Sequence, residues 1–272
     1  MNSSRSTKNY HLGDGKELPS INILFVGGSQ SGKSTLIKIL KDPSAKLSHS
    51  GFPEIKNPYF DTFTITDSNS PDATIYRLNI IDTPGLKEIR HQTMQTRTDD
   101  DFLSELDAFI KRHIDRLNCL CFVTQAIHLH QKDIEVFEKL MNFFGPALSK
   151  YSMMILTHAD QYTDEKLQQF ERDIKNHPLT SEIYKYCELG IYHHGIIDYD
   201  DLETYADNPD LQQCIVQVKQ PRIRAMTEKL IKKFIECGER NVDIKFRNNQ
   251  SVKEASSSRR PNNKHSECIS RT

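Results

Sequence analysis

The sequence predicts an α/β fold: a doubly wound, mostly parallel sheet with helices on both faces. Three observations carry that prediction. Short apolar runs at 21–26, 74–81, 119–123 and 151–156 read as strands, and helical patterns alternate with them. A Gly-rich loop, Gly27-Gly28-Ser29-Gln30-Ser31-Gly32-Lys33-Ser34, stands between the first of these strands and the first helix. The other polar motifs also fall just after strand ends, where open α/β sheets place their ligand sites. Five or six strands are expected.

The loop fits G-x-x-x-x-G-K-[ST], the phosphate-binding P-loop. Gly27 and Gly32 let the backbone turn so that amide groups face a phosphate, and the helix that follows adds positive potential. Gly28, Ser29, Gln30, Ser31, Gly32 and Thr35 are expected to complete the cradle. Lys33 is expected to reach the β- and γ-phosphates, and Ser34 to ligate Mg2+. The expected fold is thus a P-loop NTPase of the G-domain type.

At 272 residues the chain suits one such domain with extensions. Residues 1–19 read as a flexible lead-in, 20–240 as the G domain with a C-terminal helical extension, and 241–272 as a disordered basic tail. The tail holds seven Lys/Arg against three Asp/Glu, net +4. The whole chain carries a net charge of -1, so nothing global points to nucleic acid. The six cysteines are dispersed, without zinc spacing, and read as reduced thiols of a cytoplasmic protein. No signal peptide and no apolar run near the ~18 residues of a membrane span is present. Peripheral membrane contact would need a partner or a surface patch.

After the P-loop unit, 44–58 reads as a loop where a GTPase carries switch I. Residues 59–66 alternate as a half-exposed strand, and the strand at 74–81 runs into Asp82-Thr83-Pro84-Gly85. An Asp at a strand end can hold the Mg2+ shell, and a Gly three residues on can offer its N–H to a γ-phosphate. The acidic run Asp99-Asp100-Asp101 reads as a helix start rather than a metal site. Residues 131–144 form an amphipathic helix stopped by Gly145-Pro146. The strand at 151–156 delivers Thr157-His158-Ala159-Asp160. Guanine-specific switches carry [NT]-K-x-D there, with the Asp accepting from guanine N1 and its 2-amino group; here His158 replaces the Lys. Residues 164–177 read as a helix. His193, His194 and Gly195 leave the last strand, and the His pair packs around the base or at a dimer surface. A C-terminal helix runs from 211 to about 240 and is expected to be interrupted near Pro221.

GGSQSGKS, Leu78-Asn79-Ile80-Ile81-Asp82-Thr83-Pro84-Gly85-Leu86 and the Thr157-His158-Ala159 segment together resemble an AIG/IAN-type G domain. That septin-related group is called GIMAP in vertebrates and includes the similar Toc GTPases of the chloroplast surface. The resemblance covers about 20–240. It implies a cytosol-facing switch that binds GTP/GDP with Mg2+ and dimerises across its nucleotide face. Lys33, Gly85 and Thr62 would act in catalysis. The switch I threonine, a further Mg2+ ligand, would be Thr62 or Thr64, or Ser48 or Ser50 if the loop closes earlier. Many members carry a membrane anchor that this sequence lacks.

In Ras-like proteins a Gln directly after the D-x-x-G glycine orients the attacking water. Leu86 holds that position and cannot hydrogen-bond, so a monomer is expected to hydrolyse GTP slowly. Arg90, His91 and Arg97 are candidates to act across a dimer. Two other classes compete with this reading: an ATP-dependent P-loop kinase or ATPase, which leaves Asp160 unexplained, and a nucleotide-bound interaction module without turnover.

Overall fold

The structure is a computed structural model that describes residues 18–43, 45, 57–67, 73–85, 98–127 and 129–243. Along the chain lie β1 (Ser20–Val26), α1 (Lys33–Lys41), β2 (Tyr59–Thr66), β3 (Ile75–Asp82) and α2 (Asp99–His113). Then come β4 (Arg116–Leu117), β5 (Cys119–Gln125), α3 (Gln131–Phe144), β6 (Ser152–Thr157), α4 (Asp164–Asn176) and α5 (Ser181–Tyr186). The last elements are β7 (Ile191–His193), α6 (Tyr199–Glu203), α7 (Pro209–Gly238) and β8 (Val242–Asp243).

Six strands form one sheet in the order β2-β3-β1-β5-β6-β7. Only β2 runs antiparallel, paired with β3 along its whole length. The other neighbours are parallel. The fold is therefore the doubly wound α/β arrangement expected.

Strand side chains alternate between two cores, as a period of two requires. Leu24 and Val26, Leu120 and Phe122, and Met154 and Leu156 face one side. There Phe102, Leu106 and Ile110 of α2 and Ile134, Phe137 and Leu140 of α3 cover them, with α4 and α5. Ile21, Ile23 and Phe25, Cys119, Cys121 and Val123, and Met153 and Ile155 face the other side. That side is covered by Leu36, Ile37 and Leu40 of α1 and by Leu230, Phe234 and Cys237 of α7. The Phe25 and Phe234 ring centroids lie 6.3 Å apart, which seats α7 directly on the central strand.

The lower end of the sheet is tied by asparagines. Asn22 N–H donates to Asn118 Oδ1 at 2.9 Å, and Asn79 Nδ2 donates to Asn22 Oδ1 at 2.9 Å. Asn118 Nδ2 donates to the Arg240 carbonyl at 2.6 Å, which fixes the chain just after α7.

Three features differ from the sequence expectation. Helix α7 is continuous through Pro221. The proline lies on an exposed stretch, where water can take the carbonyl bond that its ring removes. The strands β4 and β8 pair as a two-stranded sheet, so ordered chain continues past the expected boundary at 240. A short helix, α6, is capped by Asp198, whose side chain accepts from the N–H groups of Asp200 and Asp201. The Asp99–Asp101 run behaves as a helix start. Thr98 and Asp101 form a reciprocal capping box, and Asp99 pairs with Lys139.

Candidate functional site

The P-loop leaves β1 between β3 and β5, and strand-end groups of β3, β5 and β6 hold the loop and the strand that leads into it. Thr157 Oγ1, at the end of β6, donates to the Ser31 carbonyl at 2.8 Å. Gln125 Nε2, at the end of β5, donates to the Gln30 carbonyl at 3.0 Å. Thr83 Oγ1, just after β3, donates to the Phe25 carbonyl at 2.8 Å. Gly32 caps α1 with φ 88°, a left-handed conformation that suits glycine. Lys33 is buried. Its ammonium donates to the carbonyls of Gly28 at 2.8 Å and Gly27 at 3.3 Å, and to Ser31 Oγ at 3.2 Å.

Asp82 ends β3 beside this loop and is fully buried. Neither carboxylate oxygen has a hydrogen-bond partner in good geometry among the described residues. Burial pushes its pKa up. The Lys33 charge opposes that, as do the Ser34 and Tyr59 hydroxyls and the Thr83 backbone. A buried carboxylate in this condition is costly unless a cation meets it. Oxygen donors from Asp82 and Ser34 suit a hard divalent ion such as Mg2+. Gly85 lies against the P-loop: a Cβ there would stand 2.3 Å from the Ser29 amide nitrogen. Only a glycine permits that approach.

Thr62 does not join this group. It sits in the middle of β2, opposite Asn79, and its hydroxyl donates to Asn79 Oδ1 at 3.2 Å. Three residue steps, about 10 Å, separate it from the strand end that meets Asp82. Thr64 is farther along the same strand, opposite Arg77. The expectation that Thr62 is a catalytic and metal residue is therefore corrected: strand pairing holds it in the sheet. Ser48, Ser50, Leu86, Arg90, His91 and Arg97 lie outside the described residues.

The second half of the site follows β6. Thr157 also accepts or donates a bond with His158 Nδ1 at 3.1 Å. His158 adopts φ 56°, and a 3-10 turn over Ala159–Gln161 carries Asp160. The Asp160 side chain is 1% exposed. Its Oδ1 accepts from the Ile196 N–H at 3.1 Å, and its Oδ2 faces the Lys219 ammonium of α7 at 2.9 Å.

The two histidines diverge. His194 is buried, with Nε2 3.0 Å from Thr227 Oγ1 of α7, and its carbonyl accepts from the Ala159 N–H at 3.1 Å. It thus braces the turn that bears Asp160. His193 instead stands 3.1 Å from Glu171 Oε1 of α4. Sequence reasoning also missed Thr83, Gln125, Tyr59 and Lys219. Thr83 and Gln125 were findable, because both stand at strand ends. Tyr59 follows only from the antiparallel register that sets it opposite Asp82.

Comparison with known proteins bears on residues 21–192, which match the family model described as the AIG1 family. No curated protein matched the chain. Among solved structures, the chain is similar to a dimerization-deficient mutant of Toc33 from Arabidopsis thaliana. The identity is 17%, with 65% of this chain and 71% of that one covered and a TM-score of 0.44. It is also similar to Toc33 from Arabidopsis thaliana in complex with Mg2+ and GMPPNP, at 15% identity, 65% and 71% coverage and a TM-score of 0.42. A septin GTPase domain from Chlamydomonas reinhardtii is similar at 21% identity, 58% and 60% coverage and a TM-score of 0.39.

His194 generates a prediction about acid stability. Burial lowers its pKa from 6.5 to about 4, so the folded state keeps the ring neutral. In the unfolded chain the ring protonates at its ordinary pKa, so the unfolded state binds more protons between the two values. Stability is full above pH 6.5 and is lost as pH falls toward 4. From pH 7.5 to 5 the loss from this group is about 2 kcal/mol. Denaturant unfolding should show the wild type losing more than His194→Gln by about that amount. Parallel pH curves for the two proteins would contradict it.

Proposed function

The chain belongs to the AIG1 family, and from that premise we propose that it binds GTP with Mg2+ and hydrolyses it slowly to GDP as a dimerising switch. The observation that carries this reading is one bond. The Thr157 hydroxyl joins the strand end that bears Asp160 to the Ser31 carbonyl of the phosphate loop, at 2.8 Å. The phosphate-loop motif and Asp160 therefore sit on one edge of one sheet, which supports a single nucleotide spanning both.

Each residue then has a role. Lys33 exchanges the loop carbonyls for the β- and γ-phosphate oxygens. The backbone N–H groups of 28–35 face the phosphates at the start of α1. Gly85 offers its N–H to the γ-phosphate. Ser34 and Asp82 would hold Mg2+, whose charge offsets that of the β- and γ-phosphates. Thr157 and His158 shape the base site, His194 and Gly195 back it, and Asp160 reads guanine. Water attacks the γ-phosphorus in line, and the bond to the β–γ bridging oxygen breaks to give GDP and phosphate.

Base choice is tested at Asp160. Asp160→Asn offers a donor where guanine also has one and xanthine has an acceptor. Competition binding should therefore shift the variant toward XTP. Full retention of GTP preference over XTP would remove Asp160 from the base site.

Turnover is tested by concentration. The position after Gly85 is Leu86, which cannot orient water, so a second chain should complete the site. Specific activity should rise with protein concentration in step with the dimer fraction. A high rate that stays flat where only monomer remains would show that one chain holds a complete catalytic site.

A further inference from the structure

Helix α7 lies wholly beyond the residues matched to the family, yet one of its side chains reaches the proposed base site. The Lys219 ammonium stands 2.9 Å from Asp160 Oδ2, and the two side chains are 31% and 1% exposed. The Ile196 N–H donates to Oδ1. Gly195 closes the remaining space, since a Cβ there would lie 2.6 Å from Asp160 Cβ and 3.0 Å from Ile223 Cγ1 of α7. The carboxylate that should meet guanine is thus covered by α7 and satisfied from within the chain.

We propose that Lys219 sets the affinity of the nucleotide site: it is an internal cation that occupies Asp160 until guanine displaces it. The inference rests on the reading of Asp160 as the base-contacting residue. Guanine brings two N–H donors to one carboxylate, and both oxygens must face it. With Lys219 on Oδ2 and the side chain sealed, that approach is blocked. The lost ion pair is a cost common to every base that engages Asp160, and guanine's paired donors repay it most fully.

The structure also gives Lys219 somewhere to go. Lys219 also stands on the wall of a cleft of about 390 Å³ lined by Asp198, Asp201, Leu202, Tyr205 and Ile215. Asp201 on that wall is a carboxylate alternative to Asp160, while the Asp198 side chain already caps α6. Lysine suits such an exchange, because its ammonium is a compact charge on a flexible stem. Movement of the side chain from Asp160 into this cleft would carry the presence of guanine to α6 and α7.

The test uses the full chain and three variants, Lys219→Met, Asp160→Asn and the double variant, with GDP, IDP and ADP as probes. Methionine keeps the stem and helix propensity while removing the charge. Lys219→Met should bind GDP about tenfold more tightly, chiefly through faster association, because one charge-assisted bond no longer has to be broken. Its preference for GDP over IDP should stay the same or widen, because the ion-pair cost is lifted in full from guanine. The gain should vanish in the Asp160→Asn background. Unchanged or weaker GDP binding by Lys219→Met, with Asp160→Asn still shifting base preference toward xanthine, would overturn the lysine proposal alone. An Asp160→Asn variant without any shift in base preference would overturn the reading beneath it. Circular dichroism on each variant separates loss of fold from either outcome, and Lys219→Arg, which restores the cation, should bring GDP affinity back toward the wild type.

Discussion

The fixation of the phosphate loop by strand-end side chains is the constraint on which the rest depends. A loop of this kind has backbone amides that must all point one way, and its carbonyls must then find partners elsewhere. Here those partners come from two strand ends and from the start of α1. Thr157 takes the Ser31 carbonyl, Gln125 takes that of Gln30, and Lys33 takes those of Gly27 and Gly28. The parallel register of β1, β5 and β6 brings these groups to one edge. Slippage of either pairing by one residue would turn Thr157 or Gln125 to the opposite face.

The two carboxylates of the site solve the cost of burial in opposite ways. Among the described residues Asp82 is sealed without a hydrogen-bond partner in good geometry, and burial pushes its pKa up against the opposing charge of Lys33. It is arranged to gain from a cation. Asp160 is equally sealed, but its charge is already met by Lys219 and the Ile196 N–H. It is arranged to exchange one set of donors for another. The difference follows from where each strand end lies. Asp82 faces the loop and α1, whereas Asp160 faces α7.

Much of this was legible in the sequence, because the local signals agreed with the global fold. The loop at 27–34, Asp82 and Asp160 each follow an apolar strand, and strand-end placement alone put them on one edge. Thr62 failed because the sequence shows an alternating strand but not its partner. Only the pairing with β3 reveals that position 62 faces Asn79 rather than Asp82. His193 and His194 are adjacent, so an alternation of two predicts divergence, but not that α4 takes one and α7 the other. Lys219 carried no signal at all. It is one lysine on a polar helix whose hydrophobic pattern is broken around Pro221, and its role comes from the fold of α7 over β7.

The central claim is that one sheet edge recognises a guanine nucleotide. The most direct measurement is to strip the purified protein of nucleotide, offer an equimolar mixture of GDP, ADP, CDP and UDP with Mg2+, and identify the bound species by mass spectrometry. The account predicts that GDP dominates the bound fraction. Equal or greater capture of ADP would contradict it, because nothing in the pairing of Asp160 with an adenine edge would then explain the preference.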